Sequence, residues 1–251
     1  MEHLKKILKN CIIAIFWLGL WALLAFLVNK PLLLPGPWAV LTRLFELAAT
    51  TSFWITTAKT LLRIAVGFLC AVPAGVLLAA VTCRFRLLRE LLSPLLTIVQ
   101  STPVASFILL LLIWLGRNIL PSVIVMLMVV PVVWRNVSAG VEKADPQLLE
   151  LARIYRFPPG RTLKRVYIPS VAPYFFAACR TGLGLAWKAG VAAEVLTVPK
   201  DSIGQMLYES KLYLETTDLF AWTVTVILCS LVIEKLLAAA IGRFERGGKG
   251  S

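Results

Sequence analysis

"DPQLLELARIYRFPPGRTLKRVYIPSVAPY", residues 145–174, is a polar and basic segment that lies between long apolar runs. Its beginning has the features of a helix start: Asp145 is a good N-cap, Pro146 suits the first helical position, and Glu150 lies where the helix dipole favours an acid. The sequence "FPPG" at 157–160 stops the helix. The segment therefore predicts a short helix, a break, and a second short helix that begins at Arg161 and leads into the next apolar run.

The first of these helices has an apolar face and solvated cations. The apolar positions are Leu148, Leu149, Leu151, Ala152 and Tyr155, and the cations are Arg153 and Arg156. Two interpretations are open at this point. The helix either rests on anionic lipid headgroups or is bound by a soluble partner protein.

The composition of the whole chain indicates a membrane protein. It has 251 residues, of which 59% are hydrophobic and 16% charged, and its mean hydropathy is +0.83. Soluble domains contain about 25% charged residues. Several apolar runs approach the roughly 20 residues that a helix needs to cross a bilayer. The fold class predicted is an all-α polytopic membrane protein.

Six transmembrane helices are predicted, with the polar segment between the fourth and the fifth. The stretch 30–55 is too polar and proline-rich at its start to span, and it predicts a loop followed by a short amphipathic helix at the interface. The six spans are 11–28, 56–82, 91–115, 119–138, 168–197 and 219–241.

The net charge of +13 is best explained by topology rather than by nucleic-acid binding, because the cations lie between the spans. Sixteen Lys or Arg fall in 1–10, 83–90, 135–167 and 242–251. Only six fall in the loops and span ends of the opposite side, namely Lys30, Arg43, Lys59, Arg117, Lys200 and Lys211. The positive-inside rule then places both termini and the 145–174 segment in the cytoplasm.

The segment resembles the EAA loop of bacterial ABC importer permeases. Glu150, Leu151 and Ala152 stand at E-A-A, and Ile168 and Pro169 lie near the end of the motif. Three further stretches resemble the subfamily that imports aliphatic sulfonates, taurine and nitrate, so the resemblance covers about 56–241. They are "TLLRIAVGFLCAVPAGVLLA" (60–79), "STPVASFILLLLIWLG" (101–116) and "GLGLAWKAGVAAEVL" (182–196).

The resemblance implies the type I ABC importer permease fold, with the helix at 145–160 as a coupling helix that sits in a cleft of a cytoplasmic ATPase. One departure is Arg156, which replaces the glycine that normally permits a tight turn there. Pro158 and Gly160, with Pro159, could supply the break instead. The residues implied in coupling are Asp145, Pro146, Leu148, Leu149, Glu150, Ala152, Arg153, Tyr155, Arg156, Pro158 and Gly160.

The family assembly implies a homodimer, two ATP-binding subunits, an external substrate-binding protein and a bacterial cytoplasmic membrane. The chain is expected to be a non-catalytic subunit, with ATP and Mg bound by the partner. It has no Gly-x-x-x-x-Gly-Lys-Ser/Thr loop, and "GGKGS" at 247–251 follows no strand and opens no helix. The segment 198–218 resembles the outward loop that meets the binding protein. Three regions result: 1–55 with the anchor and external loop, the core 56–241, and a cytoplasmic tail 242–251.

Polar residues inside two spans are candidates for the translocation pathway. Gln100, Ser101, Thr102 and Pro103 interrupt span three, either as a broken helix that lines a passage or as a simple proline kink. On span five, Arg180 and Glu194 fall within about 40° of each other, and Arg180 and Lys188 within about 80°.

Several interpretations of span five stay open. Lys188 either pairs with Glu194 of the same or a second copy or lines a path for an anion. Arg180 is close enough to the cytoplasmic end to snorkel. Trp187 either packs or touches substrate.

The leading functional prediction is import of a small anion such as a sulfonate, taurine or nitrate. Alternatives are a permease for a vitamin precursor or another larger metabolite, and a self-powered secondary transporter. A membrane enzyme is disfavoured because His3 is the only histidine and the five cysteines show no CxxC spacing.

Overall fold

The structure, a computed structural model, describes residues 2–247. Every element within that range is helical. The elements are α1 (Glu2–Val28), α2 (Pro37–Ala48), α3 (Thr51–Arg84), α4 (Arg86–Ser101), α5 (Val104–Leu111), α6 (Leu120–Glu142), α7 (Pro146–Ile154), α8 (Pro159–Thr162), a π-helical turn (Leu163–Tyr167), α9 (Ile168–Thr197), α10 (Ile203–Leu212) and α11 (Thr216–Gly247).

Helices occur over all six predicted spans, but their apolar character differs. In the described part of the chain, α3, α6 and the stretch Thr216–Arg243 of α11 are long and apolar enough to cross a membrane. The pair α4 and α5 would make a fourth span if the two are counted together. The apolar part of α1, Ile15–Val28, is shorter, and α9 has 30 residues but carries three charged side chains. The count of six spans therefore stays a prediction.

The helices α3, α6 and α9 form the centre of the molecule and pack through small residues. A Cβ placed on Gly75 of α3 would lie 2.7 Å from Val133 Cβ of α6, and one on Gly190 of α9 would lie 2.6 Å from Ile64 Cγ1 of α3. Only glycine permits such close approach of two helices. Gly190 thus packs within its own chain.

The short helices α2 and α10 pack beside the N-terminal half of α11. The guanidinium of Arg43 on α2 donates to both carboxylate oxygens of Asp218, at 2.7 and 2.9 Å. The rings of Phe53 and Trp222 stack with their centroids 5.1 Å apart. The amphipathic helix expected within 30–55 is thus present as α2, whereas α10 was not predicted from the sequence.

Two predicted boundaries differ from the helices. The tail was expected from residue 242, but α11 continues to Gly247: the single glycine Gly242 is tolerated inside the helix, and "RFER" at 243–246 contains no glycine or proline. Residues 248–251, which hold most of the "GGKGS" sequence, lie outside the described residues. The first anchor was expected from residue 11, whereas α1 begins at Glu2 and includes the basic start.

Candidate functional site

The helix α7 begins as its sequence predicts. Asp145 has an extended backbone, and its side chain accepts a hydrogen bond of 2.8 Å from the backbone N–H of Gln147. Pro146 occupies the first helical position, where no N–H is needed. The predicted N-cap is confirmed, so the start of this helix is fixed by its local sequence.

The end of α7 is a Schellman motif centred on Arg156. The backbone N–H of Arg156 donates to Arg153 O at 3.0 Å, and that of Phe157 donates to Ala152 O at 2.8 Å. This arrangement requires a left-handed residue, and Arg156 has φ 45°. The break therefore precedes Pro158, and Gly160 lies inside α8. The idea that the proline–glycine run replaces the missing glycine is wrong, because Arg156 itself takes the conformation a glycine would have.

The apolar residues of α7 divide between two directions. Ala152 is buried and Leu149 is half-buried against the rest of the chain. In contrast, Leu148, Leu151 and Tyr155 are 45, 47 and 71% exposed. Their spacing of three and four residues places them along one stripe of the helix. The remaining coupling candidates, all exposed, are Asp145, Pro146, Glu150, Arg153, Arg156, Pro158 and Gly160.

The break at Gln100–Pro103 is sharper than a proline kink. The helix α4 ends at Ser101, α5 begins at Val104, and their axes differ by 101°. Thr102 Oγ1 donates to Ile98 O at 2.8 Å, and Ser101 Oγ donates to the same carbonyl at 3.1 Å. The same carbonyl also accepts from the backbone N–H of Thr102 at 3.0 Å, so both hydroxyls bond to the last closed turn of α4. Gln100, Ser101 and Pro103 are exposed.

The candidate residues of span five, which is α9 in the structure, differ in their solvent exposure. Arg180 and Lys188 are exposed and lie on one side of α9, along a stripe that includes Ala177 and Ala192. Trp187 is 4% exposed and packs in the core between α3, α6 and α9. Glu194 is fully buried. The exposed cations and the buried acid therefore do not form one face, although their angular spacing suggested it.

Glu194 is held by α3 and α10 instead of by Lys188 of the same chain. Thr60 Oγ1 donates to Glu194 Oε2 at 2.7 Å, and Arg63 Nη1 lies 3.3 Å from Oε1. The backbone N–H of Gly204 donates to Oε2 at 3.3 Å. Thr60 Oγ1 also accepts from the backbone N–H of Ile203 at 2.9 Å, so the hydroxyl links α10 to α9.

Arg63 and Lys59 extend this contact to the loop before α10. Arg63 Nη2 donates to Lys200 O at 2.8 Å, and Lys59 Nζ lies 2.5 Å from Asp201 Oδ2. The hydrogen bond from Lys59 lowers the pKa of the Asp201 carboxyl below its usual value. Arg63 stands inside the apolar run that was predicted as the span 56–82. Such a residue requires a polar partner, but the partner lies 131 residues away.

Comparison with known proteins decides the family. Residues 71–247, which include α6, α7 and α9, match the binding-protein-dependent transport system inner membrane component family. The chain belongs to this family. The resemblance to ABC importer permeases is thereby confirmed, and the protein is a multi-pass permease of the inner membrane.

Three relatives place the permease among known sequences. A probable ABC transporter permease protein of Brucella melitensis is 27% identical over 232 residues, which cover 91% of this chain and 92% of the relative. The nitrate import permease protein of Synechococcus elongatus is 25% identical, covering 82 and 77%. The taurine transport system permease protein of Escherichia coli is 24% identical, covering 87 and 82%.

Solved structures share the fold of the permease. A crystal structure of an amino acid ABC transporter aligns with a TM-score of 0.64 at 16% identity, over 81% of this chain and 97% of that chain. The inward-facing MetNI methionine ABC transporter aligns with a TM-score of 0.57 at 22% identity, over 77 and 93%. These similarities concern the fold alone.

Proposed function

We propose that two copies of this permease form a route for small anions, and that a cytoplasmic ATPase drives the route through α7. Each permease would contribute six spans, made by α1, α3, the α4–α5 pair, α6, α9 and α11, with both termini in the cytoplasm. An external binding protein would deliver the substrate to the segment 198–218. ATP and Mg would be bound by the ATPase partner.

The observation that carries the coupling proposal is the exposed stripe of Leu148, Leu151 and Tyr155 on α7. Three large apolar side chains on the water side of a membrane protein are unfavourable unless a partner covers them. Exposed charged residues flank the stripe, namely Glu150 and Arg153, as in a protein interface with an apolar centre and a polar rim. An amphipathic helix that inserts into a groove of another protein presents this kind of surface.

The chain between α7 and α9 supports transmission of movement. Only Tyr155–Pro158 are non-helical, and α8 and the π-helical turn then run directly into the 30 residues of α9. A rotation of α7 would therefore act on α9 through a short and almost continuously helical connection. Rigid-body motion of packed helices is a common way to switch between two states.

The proposed substrate class rests on the exposed cations of α9. Lys188 lies in the middle of this helix, where a charge is costly unless it faces a watery path or a partner. Arg180 lies on the same side two turns earlier, so a path along this face would attract anions. Relatives include permeases for nitrate and taurine. A single chain leaves this face uncovered, which supports a second copy opposite it.

The test is co-expression with a candidate ATPase partner, followed by purification and ATPase measurement in lipid nanodiscs. We expect the wild-type permease to retain the ATPase and Leu151→Asp to lose it. Leu212→Asp is the matched control, because Leu212 is a similarly exposed leucine on α10. Retention of the ATPase by Leu151→Asp would contradict the coupling proposal.

A further inference from the structure

An apolar groove of about 550 Å³ opens between α3, α6 and the start of α9, at the end of the molecule where α7 lies. Its walls include Val76 and Ala80 of α3, Val137 of α6, and Val171 and Phe175 of α9. The volume is within the range of small-molecule binding sites. No activity assigned above uses this groove.

The groove has one basic end. Arg84, an exposed residue in the last turn of α3, is the charged residue of its described lining. Lys164 and Arg165 are exposed on the π-helical turn whose neighbouring residues also line the groove. The acid nearest in sequence to the α6 wall, Glu142, already forms an ion pair with Arg89 of α4.

The other end of the groove extends along apolar side chains. Val76 and Arg84 are separated by eight residues, so the groove follows α3 for about 12 Å. A basic head and an apolar trough of this length match an amphiphile with an anionic headgroup. A uniformly apolar helix from another protein would fit the groove poorly, because it would leave the guanidinium of Arg84 without a partner.

The groove also faces away from the cationic side of α9. Phe175 lies about 140° around the helix axis from Arg180 in one direction and from Lys188 in the other. If the cationic side lines the route for substrate, the groove is turned toward the bilayer. Basic pockets between transmembrane helices are known to bind anionic lipid headgroups.

We propose that this groove is a binding site for an anionic phospholipid. One acyl chain occupies the apolar trough, and the headgroup phosphate is bound by Arg84 with help from Lys164 and Arg165. The lipid fills the space between α3, α6 and the start of α9, and it thereby supports the junction between α8 and α9.

The test is native mass spectrometry of the full-length chain in detergent, titrated with dioleoyl phosphatidylglycerol or dioleoyl phosphatidylcholine. We expect a preference for phosphatidylglycerol that Arg84→Gln reduces by about fivefold, because one cation near a membrane surface contributes about 1 kcal/mol. Ala80→Trp fills the trough and is expected to reduce the binding of both lipids.

Two control variants change the same residue types outside the groove. Arg135→Gln removes an exposed arginine of α6, and Ala65→Trp enlarges an exposed alanine of α3. Both should bind lipid as the wild type does. Equal binding of the two lipids, or wild-type binding by Arg84→Gln and Ala80→Trp, would overturn the proposal. It would also be overturned if Ala80→Trp converted a dimer into monomers without a loss of lipid, because the occupant would then be a second copy of the chain.

Discussion

Glu194 of α9 and Arg63 of α3 form a salt bridge of 3.3 Å in which the carboxylate is fully buried. The same carboxylate accepts from Thr60 and from the backbone of Gly204, so the three helices α3, α9 and α10 meet at one side chain. A buried acid is tolerated only when its oxygens are satisfied in this way. This contact therefore fixes the segment before α10 to α3 and α9.

Removal of the arginine should destabilise the permease strongly. We expect Arg63→Gln to cost about 3 kcal/mol, because it leaves Glu194 buried without its cation. Glu194→Gln should cost less, since its amide oxygen can still accept from Thr60. The thermal unfolding midpoint in detergent measures both effects. Lys59→Gln, which breaks an exposed ion pair with Asp201, is the control and should shift the midpoint little. Equal shifts for Arg63→Gln and Lys59→Gln would mean that the buried pair is unimportant.

Gly204 should not tolerate even a methyl group. A Cβ at this position would lie 2.3 Å from Glu194 Cβ and 2.4 Å from the Glu194 backbone carbon. We expect Gly204→Ala to destabilise the protein by about 2 kcal/mol or more, since backbone atoms must move apart. Gly160→Ala is a suitable control because nothing lies within 4 Å of the added methyl group. The prediction fails if the unfolding midpoints of the two variants agree.

At Arg156 the backbone is left-handed, so a substitution to glycine should stabilise the protein rather than destabilise it. A residue with a side chain pays about 1 kcal/mol for φ 45°, whereas glycine does not. Arg156→Gly should therefore stabilise the α7 segment by about 1 kcal/mol. Arg153→Gly, inside the same helix, should destabilise it by a similar amount. Limited proteolysis at the α7–α8 junction measures the local effect, and faster cleavage of Arg156→Gly than of the wild type would contradict it.

Local signals explain which features could be predicted from the sequence. The start of α7 is determined by the three consecutive residues 145–147, through the N-cap Asp145 and Pro146. Pro103 marks the break between α4 and α5. These features depend on nearest neighbours in the chain. The partner of Arg63 could not be found in this way, because it depends on how α3 and α9 pack. The burial of Glu194 likewise follows from α10, a helix whose sequence is too polar to stand out among apolar spans.

The exposed lysine of α9 gives the most direct test of the proposed substrate class. Lys188 lies mid-helix and is separated from the buried core, so its replacement should leave folding nearly unchanged. We expect Lys188→Gln to reduce anion uptake at least about fivefold, since one positive charge along the route is lost. Lys188→Arg should retain most of the uptake because it keeps the charge. The measurement is uptake of nitrate and of taurine by cells that express the permease with its ATPase and binding protein. Lys235→Gln, on the exposed side of α11, controls for a general change in charge. If Lys188→Gln and Lys235→Gln transported equally well, Lys188 would have no role in the route, and selection of the substrate would have to occur at the external binding protein.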